Sequence, residues 1–368
     1  MLKSGWQRIV IKVGSALIAP QAKGCSTRYL LAIARFINEC RQYGVQVVLV
    51  SSGSVAAGKA AIAFPHHPLP INIKQAMAAV GQTQMMATWS HLFDFRCAQI
   101  LLTHDDLADR RRYLNIDNTL RTLLEHQVLP IVNENDSVAT AELRVGDNDN
   151  LAAMVAILVD ADALLICSDI DGLYSANPRT TVDARFIPRV EKITADIYAM
   201  AGGSHHAIGT GGMVTKIQAA DKATKLGVDT LIINGQKAAS FDALLAGEPA
   251  GTLFVRQQDR LSAKKHWLLN SLKSQGSISL DSGAVQALLH KGASLLAKGI
   301  VGVSGQFDKG DAIWLCDDSG KQLGKGICQY SATELHLIKG LHSTQIAQTL
   351  GFCPSEEVVH RDDIALTN

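Results

Sequence analysis

The sequence predicts an α/β fold: a mainly parallel sheet sandwiched between helices, followed by a small β-rich barrel. Three observations predict it. Short apolar runs alternate with amphipathic segments over residues 1 to about 256, the pattern of a parallel sheet covered on both faces. The polar and glycine-rich stretches fall where the apolar runs end, so they share the sheet edge where open α/β folds hold ligands. Across 257–275 the texture changes to short alternating runs with glycine turns, such as Ser277–Leu280 and Ala312–Leu315, which reads as a small β structure with one or two helices. The expected organisation is therefore a catalytic domain over 1–256, a linker over 257–275 and the barrel over 276–368.

The bulk properties exclude several classes. A formal net charge of +1 over 368 residues marks no chain-wide binding to nucleic acid or membrane. The seven cysteines are scattered, odd in number and never spaced Cys-x-x-Cys, which argues against a disulfide framework or zinc site and for a reducing, cytoplasmic setting. Arg8 and Lys12 interrupt the first apolar run, so no secretory signal is expected. Charges break every long apolar stretch, so no membrane span is expected either.

Ile9–Val13 reads as a buried strand ended by Gly14-Ser15. Lys12 at its exit either snorkels to solvent or faces an anion above the sheet, because a buried lysine without a partner is costly. Thr27–Tyr43 has helical spacing, with Leu30, Leu31, Ala34, Ile37 and Cys40 on one face and Gly44 as a stop. Val45–Val50 is the second strand. It runs into Ser51-Ser52-Gly53-Ser54, a turn that is either a plain serine-capped helix start or a backbone anion site. Ile71–Phe95 reads mostly as a helix, with Met77, Val80, Gln84 and Met85 at helical spacings. Ala98–Leu102 is a third strand, and Asp105–His126 a charged amphipathic helix.

Val128–Val132 is a further strand, and the stretch Asn133–Asn150 after it is the densest group of carboxylates and amides in the chain. Asn148, Asp149 and Asn150 precede an apolar helix, where such residues serve as caps. Ala163–Cys167 is another strand, leading into Ser168-Asp169-Ile170-Asp171-Gly172. That segment lacks the glutamate an EF-hand requires, so the calcium-loop reading is rejected and no metal ligand is assigned. Residues 181–206 read as loop and short helix. Gly209–Lys216 is a glycine-rich turn opening a helix, with Lys216 in its first turn. It suits a phosphate but is not a Walker A loop. Asp229–Ile233 supplies a last strand. Two lysines, several backbone anion sites and a carboxylate–amide cluster at one sheet edge suit phosphoryl transfer, where catalysis is positioning and charge neutralisation.

Five pieces in order resemble the amino-acid kinase family: Ile11–Ser15, Ser51–Gly58, Asn133–Asp136, Val145–Asn150 and Gly209–Lys216. Ser294–Ile300 and Gly305–Asp311 are similar to a PUA domain, a small barrel first named from RNA-modifying enzymes. Within the family, the pieces look most like the members that phosphorylate the side-chain carboxylate of L-glutamate with ATP, the first step of proline biosynthesis. The resemblance implies roles by position. Lys12 and Lys216 neutralise the transferred phosphoryl group, and Asp149 holds them. Ser52, Gly53, Asp136 and Asn148 bind glutamate. Lys12, Ser168, Asp169 and the segment Thr210, Gly211, Gly212, Met213, Val214, Thr215 and Lys216 bind ATP. It also implies Mg²⁺ as cofactor, proline as feedback inhibitor and a homo-oligomer, dimer or tetramer. Ser168-Asp169 stands where Thr-Asp is more usual, and Asn177-Pro178 where Asp-Pro is.

Two alternatives stand beside this reading. One is another family member, acting on aspartate, N-acetylglutamate, carbamate or UMP. The other is an RNA-binding protein with an inactive kinase fold. From residue 258 onward there are 11 Lys plus Arg against 11 Asp plus Glu, so charge balance does not favour RNA.

Overall fold

The computed structural model describes residues 5–21, 24–62, 64, 68–138, 148–202, 212–257, 269 and 274–367. It divides into two compact units, Met1–Gln258 and Asp259–Asn368.

The first unit begins with β1 (Arg8–Val13), α1 (Ser15–Ile18), α2 (Leu30–Gln42), β2 (Gln46–Ser51), α3 (Ser54–Gly58), α4 (Ile71–Ser90) and β3 (Cys97–Leu102). It continues through α5 (His104–Ala108), α6 (Arg110–Glu125), β4 (Leu129–Glu134), α7 (Asn148–Leu158) and β5 (Ala163–Ser168). Then come β6 (Leu173–Tyr174), β7 (Phe186–Ile187), β8 (Arg189–Val190), α8 (Ala195–Met200), α9 (Met213–Lys225), β9 (Asp229–Asn234), α10 (Ala238–Ala246) and β10 (Thr252–Phe254).

One eight-stranded sheet runs β3-β4-β2-β1-β5-β9-β10-β8. The pairings from β3 to β9 are parallel, whereas β10 runs antiparallel to β9. The apolar strands explain the layering, since successive side chains point to opposite faces and both faces must be covered. On β1, Val10 packs with β2 residues Val48 and Val50 and with α7 residues Leu151, Ala152 and Val155. Ile9, Ile11 and Val13 pack on the other face with α2 residues Ile33, Phe36 and Ile37. Lys12 therefore shares the face of Val10 and lies on the side of α7.

Several expectations need correction. The segment 105–126 is two helices, not one. A Thr103–Asp106 capping box starts α5, and the Asp109 side chain accepts from the Arg112 N–H to start α6, so local capping outcompetes the continuous amphipathic pattern. Helix α4 ends at Ser90, short of Phe95. Its buried stripe runs through Met77, Ala78, Gly81, Gln82, Met85 and Trp89, whereas Gln84 is exposed. The sheet continues past β9 through β10 and β8, two short pairings that no long apolar run announced.

The second unit holds β11 (Gly276–Leu280), α11 (Ser282–Lys291), β12 (Leu295–Leu296), β13 (Ile300–Gly305), β14 (Ala312–Cys316) and β15 (Gln322–Ile327). It closes with α12 (Ala332–Ile338), α13 (Ser343–Leu350), β16 (Glu357–Val359) and β17 (Ile364–Leu366). A five-stranded sheet, β13-β11-β14-β15-β17, and the pair β12-β16 surround a separate core that includes Ile278, Leu315, Tyr330 and Ile346. Among the described residues, no helix is long and apolar enough to cross a membrane.

Candidate active site

The exits of β1, β2, β4 and β5 and the first turns of α7 and α9 converge on a cavity of about 1090 Å³. Its walls include Lys12, Ser52, Gly53, Asp136, Asn148, Asp149, Ser168, Asp169, Gly212, Met213 and Lys216. The parallel topology causes this convergence, because every strand from β3 to β9 ends at the same edge. Thr210 and Gly211, expected at the nucleotide, lie outside the described residues, as does 139–147 within the central stretch.

Asp149 is the hub of one end. It occupies the first turn of α7, where the helix dipole favours an anion. Its Oδ1 lies 2.6 Å from Lys12 Nζ, and its Oδ2 lies 3.0 Å from Lys216 Nζ. The Thr215 hydroxyl donates to Oδ2 at 2.8 Å. Burial would raise the Asp149 pKa, but Lys12, Lys216 and the hydrogen bonds hold it well below the ordinary carboxylate range. With Lys12 only 6% exposed and Asp149 3%, the lysine does not snorkel. It is fixed as a buried cation because its counter-ion is built in.

Asp136 lines the same cavity just past β4 and is 9% exposed. The Ser54 hydroxyl on α3 donates to its Oδ2 at 2.6 Å. Burial raises the Asp136 pKa, outweighing that hydrogen bond. Unlike Asp149, it forms no ion pair among the described residues. Ser52 is also in this wall, with its hydroxyl buried and without a hydrogen-bond partner among the described residues. Such a group is stable only if something else satisfies it.

Ser168 and Asp169 follow β5. The Ser168 hydroxyl donates to Asp169 Oδ1 at 3.2 Å, and Arg179 Nη2 to Oδ2 at 2.8 Å. Burial opposes ionisation of Asp169, but the hydrogen bonds, chiefly that from Arg179, lower its pKa.

Of the expected residues, Val214 is absent from the lining, and Thr215 is 1% exposed and turned onto Asp149 rather than into the cavity. Asn148, Asp149 and Asn150 are the first three residues of α7 and not its cap. Asn148 instead donates its amide N–H groups to Asn133 Oδ1 at 2.6 Å and to the Ser51 carbonyl at 3.4 Å. Sequence reasoning assigned no role to Ser54, Asn133 or Arg179. A polar residue at the end of an otherwise apolar strand was a usable signal for Asn133. Ser54 lay in the singled-out Ser51–Ser54 turn, but nothing local marked its partner, which lies 82 positions away. Among the described residues, no group of three His, Cys, Asp or Glu side chains is arranged to hold a metal ion.

Comparison with known proteins gives the chain's family. Residues 7–234 match the amino acid kinase family and residues 276–350 the PUA domain. The chain is 57% identical to a glutamate 5-kinase of Idiomarina loihiensis, an alignment covering 100% of this chain and 99% of that one. It is 52% identical to a glutamate 5-kinase of Salinibacter ruber, covering 98% and 97%. It is 47% identical to one of Syntrophotalea carbinolica, covering 99% and 98%.

Proposed function

Because the chain belongs to the amino acid kinase family, we propose that it transfers the γ-phosphoryl group of ATP to the side-chain carboxylate of L-glutamate, giving L-glutamyl 5-phosphate and ADP. The observation that carries the chemistry is the buried Lys12–Asp149–Lys216 array. The choice of glutamate rests on relatives of that name that align along the whole chain.

The acceptor carboxylate has an ordinary pKa of about 4.3, so it is ionised at neutral pH and needs no general base. A carboxylate oxygen forms the new bond to the γ-phosphorus as the bond to the ADP oxygen breaks. Repulsion between carboxylate and phosphates opposes the step, and preorganised cations relieve it most as charge shifts in the transition state. Lys12 and Lys216 supply that field from fixed positions, since Asp149 holds both ammonium groups at a sheet edge screened from water. Thr215 holds Asp149. Asp136 and Asn148 receive the amino-acid end of glutamate, with the Ser52 hydroxyl and Gly53 beside them. Ser168, Asp169 and the turn through Gly212 and Met213 receive the nucleotide.

Mg²⁺ belongs to this reading as part of the substrate, Mg·ATP. Both Asp149 oxygens already face cations, so the ion is carried by the phosphates, whose charge it screens. Proline as inhibitor, a homo-oligomer and a cytoplasmic location complete the proposal; the first two rest on the resemblance and the third on the scattered cysteines. The second unit serves regulation or assembly in this reading.

The test is hydroxylamine trapping of the acyl phosphate with Mg·ATP and glutamate. Aspartate, N-acetylglutamate, carbamate and UMP run in parallel. Product from glutamate alone is the expected result. ADP release only with another acceptor would overturn the substrate and the use of Asp136 and Asn148.

A further inference from the structure

We infer that Gln82 is a positioning residue that makes the site specific for a free α-amino group, acting on Asn148 through Asn133; this rests on the reading of Asn148 as a glutamate contact. Four side-chain amides form a directed chain. Asn148 Nδ2 donates to Asn133 Oδ1 at 2.6 Å, Asn133 Nδ2 to Gln82 Oε1 at 2.8 Å, and Gln82 Nε2 to Gln99 Oε1 at 3.0 Å. A primary amide donates only from nitrogen and accepts only at oxygen, so each member fixes the orientation of the next.

The Ser51 carbonyl, 3.4 Å from Asn148 Nδ2, can only accept. Turned over, Asn148 would set its oxygen against that carbonyl and against Asn133 Oδ1. With its N–H groups committed, Asn148 shows the cavity its Oδ1. An acceptor there suits an ammonium, which carries three donors, and repels a carboxylate. Asp136 lines the same cavity, so two acceptors meet the α-ammonium of glutamate. An N-acylated glutamate has no charge there and keeps one N–H donor where the ammonium has three.

Gln82 sets the direction at Asn133 and, through it, reinforces at Asn148 the direction that the Ser51 carbonyl favours. Gln82, Asn133 and Asn148 are all buried, so none can trade its amide partner for solvent without cost. Gln99 is exposed on the edge strand β3 and is free to turn. The backbone beside Gln82 is also held in place: a Cβ added at Gly81 would lie 1.8 Å from the Ser54 carbonyl oxygen, so α4 and α3 touch there and Gln82 cannot shift along its helix.

Three variants test this by steady-state kinetics with glutamate and Mg·ATP varied separately. Gln82→Glu still accepts from Asn133, while Gln99 turns to donate to it. Its glutamate KM is expected to stay within threefold of the unmodified protein. Gln82→Lys only donates, so Asn133 turns its oxygen to the lysine and its N–H to Asn148, which must then either turn against the Ser51 carbonyl or lose its bond to Asn133. Its glutamate KM is expected to rise at least tenfold, about 1.4 kcal/mol, with the ATP KM unchanged. Gln82→Met neither accepts nor donates and is expected to fall between them. If the lysine variant does not fold, the Glu and Met pair decides: several-fold weaker glutamate binding in Met than in Glu supports the relay. Equal glutamate KM values across the folded variants, or an equal effect on ATP, would overturn it. Failure of the unmodified protein to phosphorylate glutamate would instead overturn the substrate reading itself.

Discussion

Asp149 and Asp136 are both buried carboxylates in the wall of one cavity, yet their environments push them in opposite directions. Asp149 has two lysines and a threonine hydroxyl around it and is held strongly ionised. Asp136 has a serine hydroxyl and an elevated pKa. The difference teaches what each end is for. In the proposed function, a carboxylate whose cations are built into the fold organises positive charge for phosphoryl transfer. A buried carboxylate with no ion pair among the described residues receives the ammonium of the amino acid in that reading. The contrast is one of partners rather than burial, because both groups are under one-tenth exposed.

The largest effect should come from the fixed end. Lys12→Ala and Lys216→Ala are each expected to lower kcat by about 10²–10³-fold, the scale of losing a preorganised transition-state donor, with glutamate KM changed far less. Near-normal turnover in either would break the contrast. Stability should separate the two carboxylates next. Asp149→Asn leaves buried Lys12 and half-buried Lys216 uncompensated and should cost about 3–5 kcal/mol, read as a lower Tm or denaturation midpoint. Asp136→Asn removes a buried charge without a built-in counter-ion, keeps an acceptor for Ser54, and should leave the ligand-free Tm unchanged or raised. A matching loss in both variants would remove the distinction.

Acidity sharpens the same comparison. The lowered Asp149 pKa stabilises the fold fully above its unfolded value near 3.8, and that contribution is lost only as pH falls through the still lower folded value. The raised Asp136 pKa has the opposite sign: its contribution is present below the unfolded value and lost as pH rises through the folded one. In the proposed function, glutamate binding needs Asp136 ionised. The glutamate KM should therefore rise on the acid side of that raised pKa, well before Asp149 titrates. A flat glutamate KM down to the ordinary carboxylate range would count against Asp136 as the ammonium partner. The smallest effect is expected for Ser54→Ala. Loss of a hydrogen bond to a charged group, about 1.5–3 kcal/mol, should raise the glutamate KM about tenfold and move its acid limb to higher pH, leaving kcat in place.

Much of this was legible in the sequence, for identifiable reasons. The strands announced themselves because a parallel sheet buried on both faces demands unbroken apolar runs, as in Ile9–Ile11 and Leu164–Cys167. Lys12 stood out as a cation in such a run, although only the fold shows that its counter-ion arrives 137 positions later on α7. Thr215 belongs to the segment expected at the nucleotide, and its hydroxyl lies on Asp149, a contact that a glycine-rich turn followed by a helix does not reveal. The break between α5 and α6 was missed because the amphipathic pattern continues across Asp109 while the caps do not. Gln82 carried no local signal: one polar residue in a methionine-rich helix looks the same whether it faces solvent or Asn133.

The central claim is tested most directly by hydroxamate formation from glutamate at saturating Mg·ATP, measured for Asp136→Asn and Asp149→Asn as glutamate is raised. The account predicts that Asp136→Asn recovers most of the unmodified kcat at high glutamate, with KM raised well over tenfold, while Asp149→Asn stays slow at every concentration. Recovery by Asp149→Asn, or a low kcat that glutamate cannot restore in Asp136→Asn, would contradict it.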